Sequence, residues 1–118
     1  MPLAGPHLEP AYEYIATLQR GIDGDTYDLN LDLGFEITAV ITVRLHGYNC
    51  PELPTPEGVK AAEAARALLA NRQFLVKTYK GPRTGTDRKS FARWVADVYL
   101  DAQHLGALLD AQGLAKRL

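Results

Sequence analysis

Apolar and polar residues alternate with a period of two along much of the first half of the chain. Between residues 26 and 34, leucine fills alternate positions from 29 onward, separated by Asp or Asn. Such alternation places successive side chains on opposite faces of a β-strand. The pattern continues over residues 35–45, after Gly34 permits a turn, and so predicts a long hairpin. Its predicted core face consists of Leu29, Leu31, Leu33, Ile37, Ala39, Ile41, Val43 and Leu45.

Three further stretches, at residues 13–21, 73–79 and 94–100, have the character of strands, which gives five in all. In the last of them we expect Trp94 and Tyr99 to be core residues. Apolar residues at helical spacing then predict two helices. Thr55 is the expected N-cap of the first, and Gly113 the expected C-cap of the second. The helices cover residues 58–71, with Val59, Ala62, Ala65 and Leu69 inward, and residues 102–112, with Leu105, Leu108 and Leu109 inward.

The predicted element order is β-β-β-α-β-β-α. Five short strands with a helix after the third are typical of a five-stranded OB-fold, an α+β arrangement in which helices pack on a small β-barrel. We predict a single domain over residues 12–118, preceded by a flexible N-terminal extension at residues 1–11.

Composition narrows the classes of protein that the chain can belong to. Of its 118 residues, 47% are apolar and 23% charged, which excludes a disordered chain. It has no apolar run near the ~20 residues that a membrane span requires, and it does not begin like a signal peptide. Cys50 is the one cysteine, as expected in a reducing compartment. We therefore expect a monomeric cytoplasmic protein that does not associate with a membrane and has no stable protein partner.

The net charge of -1 conceals two halves of opposite sign. Residues 1–66 contain four Lys or Arg against ten Asp or Glu, whereas residues 67–118 contain nine against four. Seven basic residues fall within 71–93, where Asp87 is the one acidic residue. The two halves either pair with each other or present a basic surface to a polyanion, and composition does not choose between these.

The aspartate-rich stretch from Asp23 to Asp32 does not fit an EF-hand calcium loop. That loop needs a glycine at its sixth position, which is Leu33 when counted from Asp28. The interleaved leucines also need a core, so the aspartates of residues 28–32 are interpreted as the solvated face of a strand. Asp23 and Asp25 differ, because they fall in the turn before that strand.

Four strings in the chain resemble the motifs of the staphylococcal-nuclease (thermonuclease) family, in the same order and at similar separations. Each is weak evidence alone, and the resemblance extends over roughly residues 13–117. The strings are DGDT at residues 23–26, Arg44 followed by Pro51 and Glu52, FARWVADVY at residues 91–99, and GLA at residues 113–115.

The resemblance implies a Ca²⁺-dependent nuclease on an OB barrel, which hydrolyses DNA or RNA with little sequence preference and leaves 3′-phosphates. It implies that Glu52 is the general base and that Arg44 and Arg93 clamp the phosphate. The implied metal ligands are Asp25, Asn49 and Cys50, the last through its backbone carbonyl. The implied substrate-binding residues are Lys89 and Phe91.

Several positions depart from the family pattern. Asn49 replaces a metal-binding aspartate, so the implied site has one negative charge fewer and should bind Ca²⁺ more weakly. Phe91 replaces a tyrosine and has no hydroxyl to donate. The alternatives are therefore an OB-fold module that binds nucleic acid or protein without cleavage, or an interaction domain that docks through the alanine-rich helix.

Overall fold

The computed structural model describes residues 11–79 and 93–118, with Arg93 described by its backbone alone. Within these ranges the chain forms eight strands and two helices. The predicted N-terminal extension (except residue 11), most of the basic stretch, Lys89 and Phe91 lie outside the described residues. The strands are β1 (Glu13–Asp23), β2 (Thr26–Asp32), β3 (Thr38–Leu45), β4 (Tyr48–Asn49), β5 (Phe74–Lys77), β6 (Arg93–Leu100), β7 (Gln103–His104) and β8 (Lys116–Arg117), and the helices are α1 (Pro56–Leu69) and α2 (Leu105–Ala111).

The five long strands form a closed barrel. β1 pairs antiparallel with both β2 and β5, while β2 pairs with β3 and β5 with β6. A parallel pairing of β6 with β3 completes the circuit, so no long strand is left with an unpaired edge. The prediction of a five-stranded OB-like barrel with helices is confirmed. The short strands β4, β7 and β8 were not predicted, because two residues are too few to show a period.

The β2–β3 hairpin departs from the prediction at its tip. β2 ends at Asp32 and β3 begins at Thr38, so Leu33 and Ile37 lie outside the strands and are exposed. Gly34, Phe35 and Glu36 all have positive φ, of 81°, 56° and 58°. The Ile37 amide donates a 2.9 Å hydrogen bond to the Gly34 carbonyl, and the Leu33 amide donates one of 2.9 Å to the Ile37 carbonyl, so the tip is a tight turn centred on Phe35 and Glu36. The predicted core face is correct for the half of the hairpin within the barrel, where Leu29, Val43 and Leu45 are fully buried.

Helix α1 begins where its cap was predicted, but its buried face is different. The Thr55 hydroxyl accepts a 3.0 Å hydrogen bond from the Gly58 amide, which confirms the predicted N-cap. Its buried residues are Gly58, Ala61, Ala65 and Leu69. The expected inward positions Val59 and Ala62 were wrong, since Val59 is exposed and Ala62 only half-buried. Three of the four buried residues are Gly or Ala, and their small size lets the helix lie close to the turn after β1, where a Cβ on Gly24 would be 2.8 Å from that of Ala61.

Helix α2 agrees with its sequence pattern. Leu105 and Leu109 are fully buried, and Leu108 packs against the core from a half-buried position. Gly113 has a φ of 74°, and Leu114 donates a backbone hydrogen bond of 2.9 Å to Leu109, as in a glycine-terminated helix. The chain therefore turns back after α2, which brings β8 alongside β4.

The core lies inside the barrel and beneath both helices. It is lined by aliphatic side chains from all five long strands together with Tyr27, which is 1% exposed. Trp94, predicted to be a core residue, is instead 41% exposed at the start of β6, and Tyr99 is half-buried. Neither helix in the described part of the chain has the length and apolarity needed to span a bilayer.

Candidate functional site

Strand pairing brings the β1–β2 turn to the end of β3. Thr26, the first residue of β2, is in register with Arg44 near the end of β3. The Leu45 amide donates a 2.8 Å hydrogen bond to the backbone oxygen of Asp25, which extends this pairing into the turn. Asp25 and Arg44 are thus neighbours at one end of the barrel because of the hairpin register, although 18 residues separate them in sequence.

Four of the predicted site residues form one cluster, which we call the Asp25 cluster: Asp25, Arg44, Asn49 and Cys50. The Cys50 amide donates a 3.0 Å hydrogen bond to Oδ2 of Asp25. The same oxygen lies 3.7 Å from Nη2 of Arg44, and this Nη2 also donates to Oδ1 of Asn49. Two of the expected metal-binding oxygens, from Asp25 and Asn49, therefore converge on a single cationic nitrogen.

The turn that carries Asp25 is fixed by its neighbours. Asp23 accepts a 3.1 Å hydrogen bond from the Asp25 amide, as expected of a turn residue, and the buried Tyr27 hydroxyl donates to the Gly24 carbonyl. A Cβ on Gly24 would lie 2.8 Å from the Cβ atoms of both Ala61 and Cys50. Glycine is required here because helix α1 and the Cys50 loop press directly on the turn.

Burial controls the charge of Asp25. Its side chain is nearly inaccessible, and this desolvation raises its pKa from 3.8 to about 6, with a further contribution from the neighbouring Asp23. The Cys50 amide and the Arg44 guanidinium act in the opposite direction. The positive charge of Arg44 therefore compensates the buried carboxylate only in part, and a further cation would favour its ionised form.

Cys50 contributes to the cluster through its backbone. Burial, together with the charges of Asp25 and Asp23, raises the pKa of its thiol to about 12. The sulfur is therefore protonated at neutral pH, and a thiol in that state is neither a strong nucleophile nor a good metal ligand.

Glu52 lies in the loop that precedes helix α1, two residues beyond Cys50. Its carbonyl oxygen accepts hydrogen bonds from the Thr55 amide at 3.1 Å and from the Thr55 hydroxyl at 2.6 Å. A Cβ on Gly58 would lie 2.3 Å from this carbonyl, so the backbone of Glu52 is held tightly against the helix. Its side chain is exposed, and no hydrogen bond or ion pair joins its carboxylate to another residue in the ranges that the structure describes.

Arg93 begins β6, in backbone register with Thr42, and two register positions further toward the cluster Val95 pairs with Arg44. The backbone of Arg93 is therefore one strand away from that of Arg44. The structure thus brings together four of the six predicted catalytic and metal-binding residues, holds Glu52 nearby by its backbone, and places Arg93 on the adjacent strand.

The donor atoms of the Asp25 cluster suit a hard cation in chemistry but are few in number. Ca²⁺ prefers six to eight oxygen ligands, and the cluster offers one carboxylate and one amide oxygen, both in contact with Arg44. Among residues 11–79 and 93–118, no three His, Cys, Asp or Glu side chains converge as a metal site. Any cation bound here would need most of its ligands from backbone carbonyls, water or a substrate.

The structure also contains a second polar cluster that sequence reasoning missed. Asp97 of β6 is 7% exposed and contacts His46, Tyr79 and His104. The available signal was an aspartate in the middle of an otherwise apolar strand. Its partners are 51, 18 and 7 residues away in sequence, so no local spacing connects them.

Comparisons with known proteins leave the resemblance to rest on the motifs and the fold. No protein-family model matches the sequence, and a search of curated proteins finds no match.

Proposed function

We propose that this protein is a Ca²⁺-dependent phosphodiesterase that hydrolyses DNA or RNA with little sequence specificity. The observation that carries the proposal is the convergence of Asp25, Asn49 and Arg44 at one end of an OB-like barrel. Phosphodiester hydrolysis requires positive charge at the phosphoryl oxygens and a base for the attacking water. The Asp25 cluster and the nearby Glu52 supply groups of both kinds.

Arg44 is the proposed phosphate ligand of the site. Its side chain is 26% exposed, so the guanidinium both contacts the cluster and faces solvent. A guanidinium presents a planar set of donors that matches two phosphoryl oxygens at once. Contacts with Asp25 and Asn49 restrict the orientation of the guanidinium before substrate arrives, which lowers the entropic cost of binding a phosphate. Arg93, on the adjacent strand, is proposed as the second phosphate ligand.

Glu52 is the proposed general base. A carboxylate in this role must reach a water molecule beside the phosphate, and the exposed side chain of Glu52 is accessible to solvent in the loop before α1. The hydrogen bonds from Thr55 and the close approach of Gly58 fix the backbone from which it projects. Glu52 would accept the proton that water loses as its oxygen bonds to phosphorus.

Asp25, Asn49 and the backbone carbonyl of Cys50 are the residues proposed to hold Ca²⁺. When bound, the ion would supply positive charge at the phosphoryl oxygens. The raised pKa of Asp25 supports this assignment, because it marks a buried carboxylate with incomplete charge compensation. Without substrate, this site should bind the ion weakly for two reasons. An amide, that of Asn49, stands where a carboxylate is expected, and Arg44 already contacts Oδ1 of Asn49 and Oδ2 of Asp25.

Digestion of a fluorescently labelled single-stranded oligodeoxynucleotide tests the proposal. The protein should degrade it in millimolar CaCl₂ and lose this activity in excess EGTA. Glu52→Gln should lower the rate by about 100-fold or more, as expected on removal of a general base. Glu57→Gln, the same substitution at another exposed glutamate near the start of α1, is the matched control and should keep the parent rate. Degradation that persists in EGTA and in Glu52→Gln would contradict the proposal.

One observation favours a second candidate function, binding without hydrolysis. Arg44 contacts two of the proposed metal ligands, and no third side-chain ligand accompanies them in the described residues. A site in which an arginine takes the position of the ion would bind phosphate through Arg44 and leave the ester intact. In the same experiment this alternative predicts retarded migration of the oligonucleotide on a native gel, with no cleavage in CaCl₂.

A further inference from the structure

Asp97, His46, Tyr79 and His104 form the second polar cluster, which we call the Asp97 cluster. It connects four segments of the fold through one buried carboxylate. His46, in the turn after β3, contacts Oδ1 of Asp97 through Nδ1 at 3.2 Å. Nε2 of His104 lies 2.9 Å from the same oxygen, and the Tyr79 hydroxyl donates to Oδ2. The rings of His46 and Tyr79 also pack with their centroids 5.2 Å apart. Every oxygen of the Asp97 carboxylate is thus in contact with a donor.

The protonation states within this cluster follow from the hydrogen bonds. Burial opposes ionisation of Asp97, but contacts with His104, Tyr79 and His46 outweigh it and lower its pKa below the ordinary value. An ionised carboxylate only accepts hydrogen bonds, so Nδ1 of His46 must be the donor. In His104, Nδ1 accepts a 2.9 Å hydrogen bond from the Gly106 amide, which leaves Nε2 as its donor to Asp97.

The two histidines differ in whether a ring nitrogen remains free of hydrogen bonds to the described residues. His104 is engaged at both ring nitrogens, and its side chain is only 17% exposed. The side chain of His46 is 51% exposed, and its Nδ1 is held by Asp97. Its Nε2 is therefore the nitrogen free to exchange a proton with a ligand, in a ring oriented by a buried carboxylate. Such carboxylate–imidazole pairs fix the tautomer and orientation of a histidine that transfers protons.

His46 also lies beside the Asp25 cluster. It follows Arg44 by two residues, and its backbone amide donates 2.8 Å to Ala96, which continues the parallel register that pairs Arg44 with Val95. Val95 and Asp97 are two residues apart within β6, so they lie roughly 6–7 Å apart and project from the same face of the sheet, and His46 contacts Asp97 on that face. A phosphodiester held by Arg44 would therefore have a neighbouring ester oxygen toward His46.

We propose that His46 is a further catalytic residue, the proton donor to the leaving oxygen of the phosphodiester. This rests on the proposed function. The oxygen of water bonds to phosphorus while its proton passes to Glu52, and the bond from phosphorus to the leaving sugar oxygen breaks. That oxygen takes the Nε2 proton of the doubly protonated His46 ring, which keeps its Nδ1 proton on the side of Asp97, and solvent afterwards returns a proton to Nε2. Asp97 keeps the ring oriented and stays ionised throughout.

Paired substrates and paired variants test this role. His46→Asn retains an amide donor near the position of Nδ1, and so the contact with Asp97, but removes Nε2. His104→Gln retains a donor to Asp97 from the other histidine and is the matched control. Each variant is assayed in CaCl₂ on an oligodeoxynucleotide, whose leaving alkoxide needs a proton, and on bis(p-nitrophenyl) phosphate, whose leaving phenolate does not. Urea unfolding curves establish that each variant is folded at the assay temperature.

We expect His46→Asn to cleave the oligonucleotide about 100-fold more slowly and bis(p-nitrophenyl) phosphate within about threefold of the parent rate, since proton donation matters only for the poor leaving group. His104→Gln should retain both activities. Equal rates of His46→Asn and parent on the oligonucleotide, or equal losses on both substrates, would overturn the role of His46 but not the proposed function. A parent protein inactive on both substrates would overturn the two together.

Nitrogen NMR of the histidine rings gives a readout independent of activity. In its neutral form the His46 ring should carry its proton on Nδ1, whereas the neutral His104 ring should carry it on Nε2. A neutral His46 ring whose one proton is on Nε2 would contradict the orientation on which the role depends.

Discussion

The backbone amide of Cys50 donates a 3.0 Å hydrogen bond to Oδ2 of Asp25, and this bond ties the loop before α1 to the β1–β2 turn. Together with the contacts that Arg44 makes to Asp25 and Asn49, this hydrogen bond fixes the position of the β1–β2 turn relative to the loop before α1. The geometry of the proposed site therefore depends on how closely these two turns approach, and Gly24 is the residue that allows it.

Gly24→Ala should destabilise the fold and disturb the Asp25 cluster. The added methyl group would lie 2.8 Å from two Cβ atoms and 2.9 Å from the Cys50 sulfur, so the turn or the loop must move. Overpacking of this kind costs about 1–3 kcal/mol. Gly21→Ala is the matched control, because its new Cβ would meet nothing nearer than 4.0 Å. Urea unfolding curves compare the two, and equal stability of both variants would refute the packing argument.

Asp25→Asn should make the protein more stable at neutral pH while it removes Ca²⁺ binding. Because burial raises the pKa of Asp25 from 3.8 to about 6, the folded protein binds more protons than the unfolded chain within this window. The ionised carboxylate therefore reduces stability as pH rises from about 4 to above 6. The stability advantage of the variant should increase by on the order of 2 kcal/mol over that window. Unfolding free energies at pH 4 and pH 8 measure it, and an advantage that shrinks toward pH 8 would be the wrong sign.

Asp97 should have the opposite effect on stability. Its pKa is lower in the folded protein than its ordinary value of 3.8, because contacts with His104, Tyr79 and His46 outweigh its burial. Its contribution is therefore fully present above about pH 4 and is lost as pH falls through the folded pKa. Asp97→Asn should be clearly less stable than the parent at pH 6, and the difference should narrow below pH 4. A difference that is the same at both pH values would remove the ionised carboxylate as its source.

The helix caps, the individual strands and the polar-face position of Arg44 on its strand could be predicted because each depends on local sequence pattern. Thr55 and Gly113 act within one turn of their helices, and the period of two is a property of each strand alone. The buried face of α1 was wrong at Val59 because the rotation of a helix of small residues is set by what it packs against, here β1 and the Cys50 loop. Trp94 was placed in the core on hydrophobicity, yet it is 41% exposed at the start of β6.

The residues of the Asp25 cluster were predicted from the resemblance of their motifs to those of a known family, whereas no motif pointed to the Asp97 cluster. Arg44, Asn49 and Cys50 fall within seven residues, and the hairpin register alone brings Asp25 to them. The contacts of Asp97 instead depend on three segments that are distant in sequence. The parallel pairing of β6 with β3 brings His46 close, and Tyr79 after β5 and His104, the N-cap of α2, must lie beside it as well. Tertiary closure of this kind leaves no periodic trace in the sequence.

Asn49→Asp should tighten Ca²⁺ binding. The substitution adds a negative charge beside Asp25, and Ca²⁺ affinity increases with the charge of its ligands. Asn30→Asp, on the outer face of β2, is the matched control for added charge elsewhere and should leave the affinity unchanged. Isothermal titration calorimetry with CaCl₂ compares the two variants with the parent. Unchanged or weaker binding by Asn49→Asp would exclude Asn49 from the proposed metal site.

The most direct test of the account is the initial rate of oligonucleotide cleavage by Arg44→Lys in CaCl₂. Lysine keeps the positive charge but loses the planar donors that would bind the phosphate, so the rate should fall by about 100-fold. Arg20→Lys, at an exposed arginine paired with Asp28 on the same barrel, should retain the parent rate. Cleavage by Arg44→Lys at the parent rate would contradict the claim that the cluster of Asp25, Arg44 and Asn49 is a phosphodiester-cleaving site.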